Sequence, residues 1–392
     1  MGKLVAHSLR GIPDPPPVTL LLHRKTLLEE WENGPKEIRL TTDGVAEART
    51  GFEVELAIPR TRLRGQGVSG ETPSGIQETG QNAPSKPAAE DPNSQDTPTT
   101  PIHNLIVTVK ASHTVPALSA IQHRLTPHST ILFLQNGMGI LDEVNTHIFP
   151  TPSTRPTYIQ GIIMHGINSQ SAFSATHAGR GTIALGVLPR TEQTSSGSPS
   201  GPPLHASSSE LDASAQHFIA ALTRTPVLGA SLSPWSELLN LQLEKLAANA
   251  MINPLTALLS VRNGALLHSS SALSLTRALL VEISLVFRSL PELKDDPEAQ
   301  ARFEIGRLER MVHNVARLTG QNVSSMLADA RAGRETEIRY INGYVVKRGR
   351  EVGVACPVNE TIMQLVEGRR ELGEIGLVAK GSGEDVPFVK EV

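Results

Sequence analysis

From Val18 to Gly137 the chain alternates short apolar runs with helical stretches, and this alternation narrows its fold more than any other feature. VTLLLHR, FEVELAI, HNLIVTVK and STILFLQNG are brief, rich in Val, Ile and Leu, and end in polar or glycine residues. KTLLEEWEN and VPALSAIQHRL, lying between them, have helical texture. Continuous apolar strands separated by helices imply a parallel sheet covered on both faces. TYIQGIIMHGI, SAFSATHAG and GTIALGVL read as antiparallel strands at the edge of that sheet.

After Leu211 the texture is helical almost to the end. SALSLTRALLVEISLVFRSL and ARFEIGRLERMVHNVARLTG carry apolar residues at three- and four-residue spacing. The expected architecture is an α/β, Rossmann-like, mostly parallel sheet over residues 1–190, followed by an all-helical domain over 211–392. Two low-complexity segments interrupt it, a surface insertion at about 60–101 and a loop or linker at 191–210. Both are rich in Gly, Pro, Ser and Thr, and bury too little to offset their ordering entropy.

Composition removes several classes of function. The net charge is −3 and no basic stripe is interleaved with aromatics, so nucleic acid is not an expected partner. Apolar residues make up 39% and no run reaches the ~20 residues of a bilayer span, which predicts a soluble chain without a membrane partner. The one cysteine, Cys356, precludes an internal disulfide or a multi-cysteine metal site. His7, His103, His113 and His165 are scattered and show no paired-ligand spacing, so no metal is expected. A cytoplasmic location is expected; the weakly amphipathic, basic start MGKLVAHSLRG leaves a mitochondrial one open. The oligomeric state is equally open, a homo-oligomer included.

A dinucleotide fold begins with a strand, a G-x-G-x-x-G turn and a helix. This sequence begins with what reads as the helix alone, and Gly2 fits the last glycine of that fingerprint, the one that lets helix and strand pack closely. The expectation is a first strand and two glycines missing from the sequence, as if it started downstream of the true beginning. The next strand ends in His23-Arg24-Lys25, bases with no acid. At that position an acid accepts the ribose of NAD and a base pairs with the 2′-phosphate of NADP, so NADP(H) is favoured, against the plainer reading of a solvated basic turn. Lys110 and Asn136-Gly137 stand at two further strand ends, where ligands of open α/β sheets bind.

In the helical half, KLAANAMINPL places Lys245, Asn249 and Asn253 four residues apart, on one helical face. Taken alone, Lys245 would be a lysine extending along a partly exposed helix. Asn253 precedes Pro254, where the helix is expected to kink or end. YINGYVV holds an Asn-Gly pair that by itself would signal a hairpin.

IVTVKASHTVPAL, LQNGMG, EKLAANAMINPLTALL and SSMLADARAGRETEIRYINGYVVKRGREVGVACPVNETIMQLV together resemble the ketopantoate reductase (2-dehydropantoate 2-reductase) family. The resemblance runs from Ile106 to Val366, and its last two stretches are long and specific. It implies an NADPH-dependent reduction of a small keto acid, ketopantoate, to pantoate. It also implies helix rather than hairpin at YINGYVV. Lys245 looks like the family's catalytic lysine, with Glu337 as the acid that orients it or accepts from the substrate. Asn249, Asn253 and Ser325 look like substrate-holding residues, and Gly2, Arg24, Lys110 and Asn136 like cofactor-side residues. An ammonium aimed at a carbonyl oxygen offsets the charge that reduction leaves there and can deliver the proton. Two alternatives stand beside this: another 2-keto or 3-keto acid on the same fold, or a non-catalytic relative that keeps the cleft without the cofactor.

Overall fold

The computed structural model describes residues 1–58, 98–189 and 211–374. The linker at 191–210 lies outside these residues, as does all but the end of the insertion at 60–101. Among the described residues the strands are β1 (Thr19–Leu22), β2 (Ile38–Thr42), β3 (Val45–Arg49), β4 (Glu53–Leu56), β5 (Asn104–Val107), β6 (Thr130–Phe133), β7 (Thr157–Ile163), β8 (Gly166–Ser169), β9 (Ser174–Gly179), β10 (Ile183–Val187) and β11 (Ala230–Leu232).

The central sheet runs β11-β10-β7-β6-β5, with β5, β6 and β7 parallel and β10 antiparallel to β7. All four residues of β6 are buried, as the uninterrupted apolar run TILF requires of a strand covered on both faces. β1 and β4 form a separate parallel pair. β1 and β5 both border a cavity of about 940 Å³, which also touches helices Gly2–Leu9 and Thr114–Ile121. The parallel sheet expected from the sequence is therefore present but divided, with a slot between β1 and β5.

The edge strands differ from their expected arrangement. β7 is a parallel neighbour of β6 and antiparallel only towards β10, while β8 and β9 leave for a four-stranded sheet, β3-β2-β9-β8. That sheet includes a hairpin, β2–β3, turned by Asp43 (φ 51°) and Gly44 (φ 80°). Asp-Gly is a favoured pair for such a turn, where both central residues need positive φ. Trp31, 3% exposed, joins the β1–β4 pair to this sheet by packing edge-on against Phe52 and Phe173 and alongside Ile38.

The first unit also extends past the expected boundary at 211. Helix Ala213–Thr223 buries Phe218, Ile219 and Leu222 against Leu132, Ile159 and Leu185, and β11 pairs with β10. Helical texture alone does not say which core a helix joins. The switch falls at Pro234, where the long helix Trp235–Leu259 begins.

That helix is the axis of the second unit. Its buried positions surround it, because helices Ser270–Ser289, Ile305–Leu318, Ser325–Arg331 and Pro357–Glu374 all pack on it. Helix Ser270–Ser289 is long and apolar enough by composition to cross a membrane, yet half of it is buried here and Leu279, Ile283 and Phe287 belong to the core. The long helix continues through Pro254 to Leu259, where an end or kink was expected. Proline removes the N–H that would bond Ala250 O, and Asn342 Nδ2 donates to that carbonyl instead (3.0 Å). YINGYVV is helical, with a 3-10 turn at Ile338–Tyr340 leading into helix Asn342–Glu351.

Candidate active site

The carboxyl ends of β6 and β7 face the amino-terminal half of the long helix. After β6 the chain turns at Gly137 (φ 81°), where a Cβ would lie 2.6 Å from Tyr340 Cβ. Met138 N donates to Tyr340 O (2.8 Å), so the LQNGMG turn is fastened directly to the helical unit. Only glycine fits both the positive φ and that approach.

Between turn and helix lies a pit lined by Gln135, Asn136, Gln242, Lys245 and Asn249, with Gly161 and Ile162 of β7 behind them. It is partly open, with a cavity volume of about 20 Å³. Lys245 and Asn249 share the pit because they are one helical turn apart. Lys245 Nζ donates to Ile163 O at the end of β7 (2.8 Å). Burial pushes the Lys245 ammonium down to about 8, and the charge of Glu337 opposes that fall.

Glu337 comes from the segment before the 3-10 turn at Ile338–Tyr340. Its carboxylate accepts from Ala111 N just beyond β5 (3.3 Å) and, at the limit of a hydrogen bond, from Asn136 Nδ2 (3.5 Å). Burial raises its carboxyl above the ordinary value, against these hydrogen bonds and the charge of Lys110. The fold thus brings together Lys245, Asn249, Asn136 and Glu337 from residues far apart in the chain.

Lys110 reaches across to the helical unit. Its Nζ pairs with Asp329 Oδ2 (2.8 Å) and donates to Glu335 O (2.6 Å), while Arg334 Nε holds the other oxygen of Asp329 (3.0 Å). Asn253 is buried two turns beyond Lys245 and is not among the residues lining the pit. Ser325 opens helix Ser325–Arg331 and is exposed; its neighbour Ser324 caps that helix and bonds Thr256 Oγ1 (2.7 Å).

Gly2 and Arg24 lie on the other side of the sheet's carboxyl edge. A Cβ on Gly2 would be 2.7 Å from Thr108 Oγ1, so its absence lets helix Gly2–Leu9 meet the end of β5. Arg24 follows β1, is exposed, and precedes helix Lys25–Asn33. Among the described residues no group of three or more His, Cys, Asp or Glu side chains could hold a metal ion. Sequence reasoning missed Gln135, Gln242 and Asp329. Gln135 adjoins Asn136 in LQNGMG and Gln242 lies three residues before Lys245, so motif adjacency and helical spacing were the available signals; Asp329 has none.

Residues 1–190 match the family described as Ketopantoate reductase PanE/ApbA, and residues 237–370 match Ketopantoate reductase PanE/ApbA C terminal. A probable 2-dehydropantoate 2-reductase of Schizosaccharomyces pombe is 35% identical over 270 residues, 68% of this chain and 74% of its own length. A ketoisovalerate reductase of Beauveria bassiana is 27% identical over 406 residues, covering 94% of this chain and 80% of its own. Among solved structures, a D-mandelate dehydrogenase bound to NADH and anilino(oxo)acetate superposes with a TM-score of 0.63 at 17% identity, covering 94% of each chain.

Proposed function

The chain belongs to the ketopantoate reductase family, and on that premise we propose that it reduces ketopantoate to pantoate with NADPH. The observation that carries this reading is Lys245: a lysine in a cleft between sheet and helical unit, with an ammonium pushed down to about 8. A lysine so tuned is an effective proton donor near neutral pH.

The nicotinamide cofactor, when bound, supplies the hydride. Supporting such a group, the carboxyl ends of parallel strands are where open α/β sheets bind dinucleotides, Gly2, read as the last fingerprint glycine, lets helix Gly2–Leu9 meet β5, and Arg24, an exposed base after β1, would pair with a 2′-phosphate. Lys245 offsets the negative charge that reduction leaves on the substrate's carbonyl oxygen and then protonates it. Glu337 keeps that lysine charged, since its own charge raises the lysine's pKa. Asn249 supplies an uncharged donor and acceptor to orient the acid. Asn253 and Ser325, which the resemblance assigns to holding the substrate, lie beyond the pit.

The test is NADPH oxidation with ketopantoate by the purified chain. Ketopantoate-dependent oxidation that Lys245→Ala abolishes supports the reading; no oxidation together with no NADPH binding by the folded chain favours a non-catalytic relative. A second reading, reduction of another 2-keto acid, is supported by the ketoisovalerate reductase that aligns over 94% of the chain. Comparing turnover across several keto acids decides between them.

A further inference from the structure

Asn136 and Glu337 belong to different units, yet Asn136 Nδ2 lies 3.5 Å from Glu337 Oε2. Keeping them so requires a link between the LQNGMG turn and the segment that carries Glu337, and Tyr340 touches both. Its N–H donates to Glu337 O (3.0 Å), and its carbonyl accepts from Met138 N (2.8 Å). Its Cβ fills the space that a side chain on Gly137 would need. Its ring leaves the helical unit and packs against the cluster of the first unit that contains Phe133, Ile140 and Val144. At the far end of the ring the phenol donates to Glu143 Oε2 on helix Ile140–His147 (3.1 Å). Burial, with the charge of Glu143 beside it, pushes the phenol above its ordinary value, so it keeps its proton and remains the donor in that bond.

Main-chain bonds alone would leave the two turns free to pivot on each other. A ring seated in a cluster and bonded at its tip removes that freedom, because an aromatic side chain has few rotatable bonds and fixing its far end fixes the backbone that bears it. We infer that Tyr340 is a positioning residue: by joining helix Ile140–His147 to the turn that follows Glu337, it holds that carboxylate beside Asn136 and within reach of the charge on Lys245. This rests on the reductase reading and adds to it a residue outside the pit, for Tyr340 is not among the side chains that line it. Tyr340 acts through Glu337, whose charge keeps Lys245 protonated to higher pH. A displacement of the turn by about an ångström weakens that support and misplaces Asn136 as well.

The experiment measures kcat, the KM for NADPH and the pH profile of ketopantoate reduction in variants of the full chain. Tyr340→Phe keeps the ring and removes the bond; Glu143→Leu removes it from the other side. Each should lower kcat by about tenfold or more, change the KM for NADPH far less, and move the falling limb of the pH profile to lower pH. The double variant should be no slower than the slower single one, since both changes remove the same bond. Glu143→Gln, which keeps an acceptor, should recover most of the rate lost in Glu143→Leu. Lys347→Ala is the control. It breaks another bridge between the units, Lys347 Nζ to Asp142 Oδ2 (2.6 Å), which does not involve Tyr340, and should leave the limb in place. A limb that stays put in Tyr340→Phe and Glu143→Leu overturns the inference, and so does one that moves equally far in Lys347→Ala. Should Tyr340→Phe fail to fold, Glu143→Leu and Glu143→Gln carry the same test. If the unaltered chain reduces no keto acid, the reductase reading falls by itself, and NMR titration of the Lys245 side-chain nitrogen then decides the positioning role. A lower midpoint in Glu143→Leu than in the unaltered chain supports it, and an unchanged midpoint overturns it.

Discussion

Asn342 donates its side-chain amide to the main-chain carbonyl of Ala250, the carbonyl that Pro254 deprives of its helical partner. A second bond from the same amide reaches Asn359 Oδ1 (3.0 Å), and Asn359 Nδ2 in turn bonds Glu282 (2.7 Å). Glu282 also accepts from Val358 N and Asn359 N, at the positive end of helix Pro357–Glu374. A proline in the helix that carries Lys245 thus becomes an anchor for two other helices. Asn342→Ala should destabilise the chain by about 1–3 kcal/mol, the cost of leaving buried acceptors bare. Pro254→Ala restores an N–H able to reach Ala250 O, so the loss from Asn342→Ala should shrink in that background. Urea unfolding of the two single variants and the double variant measures this; additive effects would refute the link.

Removal of the lysine tests the chemistry. Lys245→Ala should slow the chemical step by about two to four powers of ten, the range for losing a proton donor or an oxyanion-stabilising group. Single-turnover NADPH oxidation is the measurement, and near-normal rates would remove Lys245 from the mechanism.

The pH profile carries a sign that can be checked. With its ammonium pushed down to about 8, Lys245 loses its proton as pH rises through that value, and the rate of reduction should fall there. Glu337→Gln removes the charge that holds the lysine's pKa up, so the falling limb should move to lower pH. A limb that stays in place would disconnect the two residues. Stability runs the other way. Between about 8 and the ordinary 10.5 the unfolded chain binds more protons at this lysine than the folded one. Its burial penalty is therefore fully present below 8 and relieved as pH rises across that window.

Arg24→Ala should raise the KM for NADPH by about tenfold or more while changing that for NADH far less, since a charged hydrogen bond to a phosphate contributes about 1.5–3 kcal/mol. Initial rates with both cofactors settle it, and equal effects would place Arg24 outside the cofactor site.

At Gly2 the prediction concerns packing. Gly2→Ala places a methyl 2.7 Å from Thr108 Oγ1 and should cost about 1–3 kcal/mol in overpacking. Thr108→Ala in the same chain should recover most of it. Thermal unfolding of the single and double variants shows whether that contact is the cause.

The architecture was legible where pattern and burial coincide. TILF read as a strand covered on both faces and is fully buried as β6, and the three-and-four spacing of the second half is a helical bundle. What the pattern could not assign was membership. Helix Ala213–Thr223 has the texture of the bundle but packs on the sheet, and β8 and β9 join a sheet of their own, because such choices depend on partners distant in sequence. Asp43-Gly44 was a local signal that went unused. At the site, helical spacing placed Lys245 and Asn249 together, but it also extended the stripe to Asn253, two turns on and beyond the pit. Lys110, expected on the cofactor side, is paired with Asp329, an interaction that no spacing announces.

The slot between β1 and β5 has a consequence for how the two ends of a dinucleotide would be handled. Arg24 follows a pair of strands held through Trp31 and its aromatic neighbours, the Arg124–Glu55 ion pair and Leu21, whereas Lys245 is tied to β7 at the far side of the opening. On the proposed reading, pairing of a 2′-phosphate at Arg24 and protonation by Lys245 would rest on different strands of the scaffold. On that reading, substitutions around Trp31 should act on cofactor choice more than on turnover, and changes around the lysine the reverse.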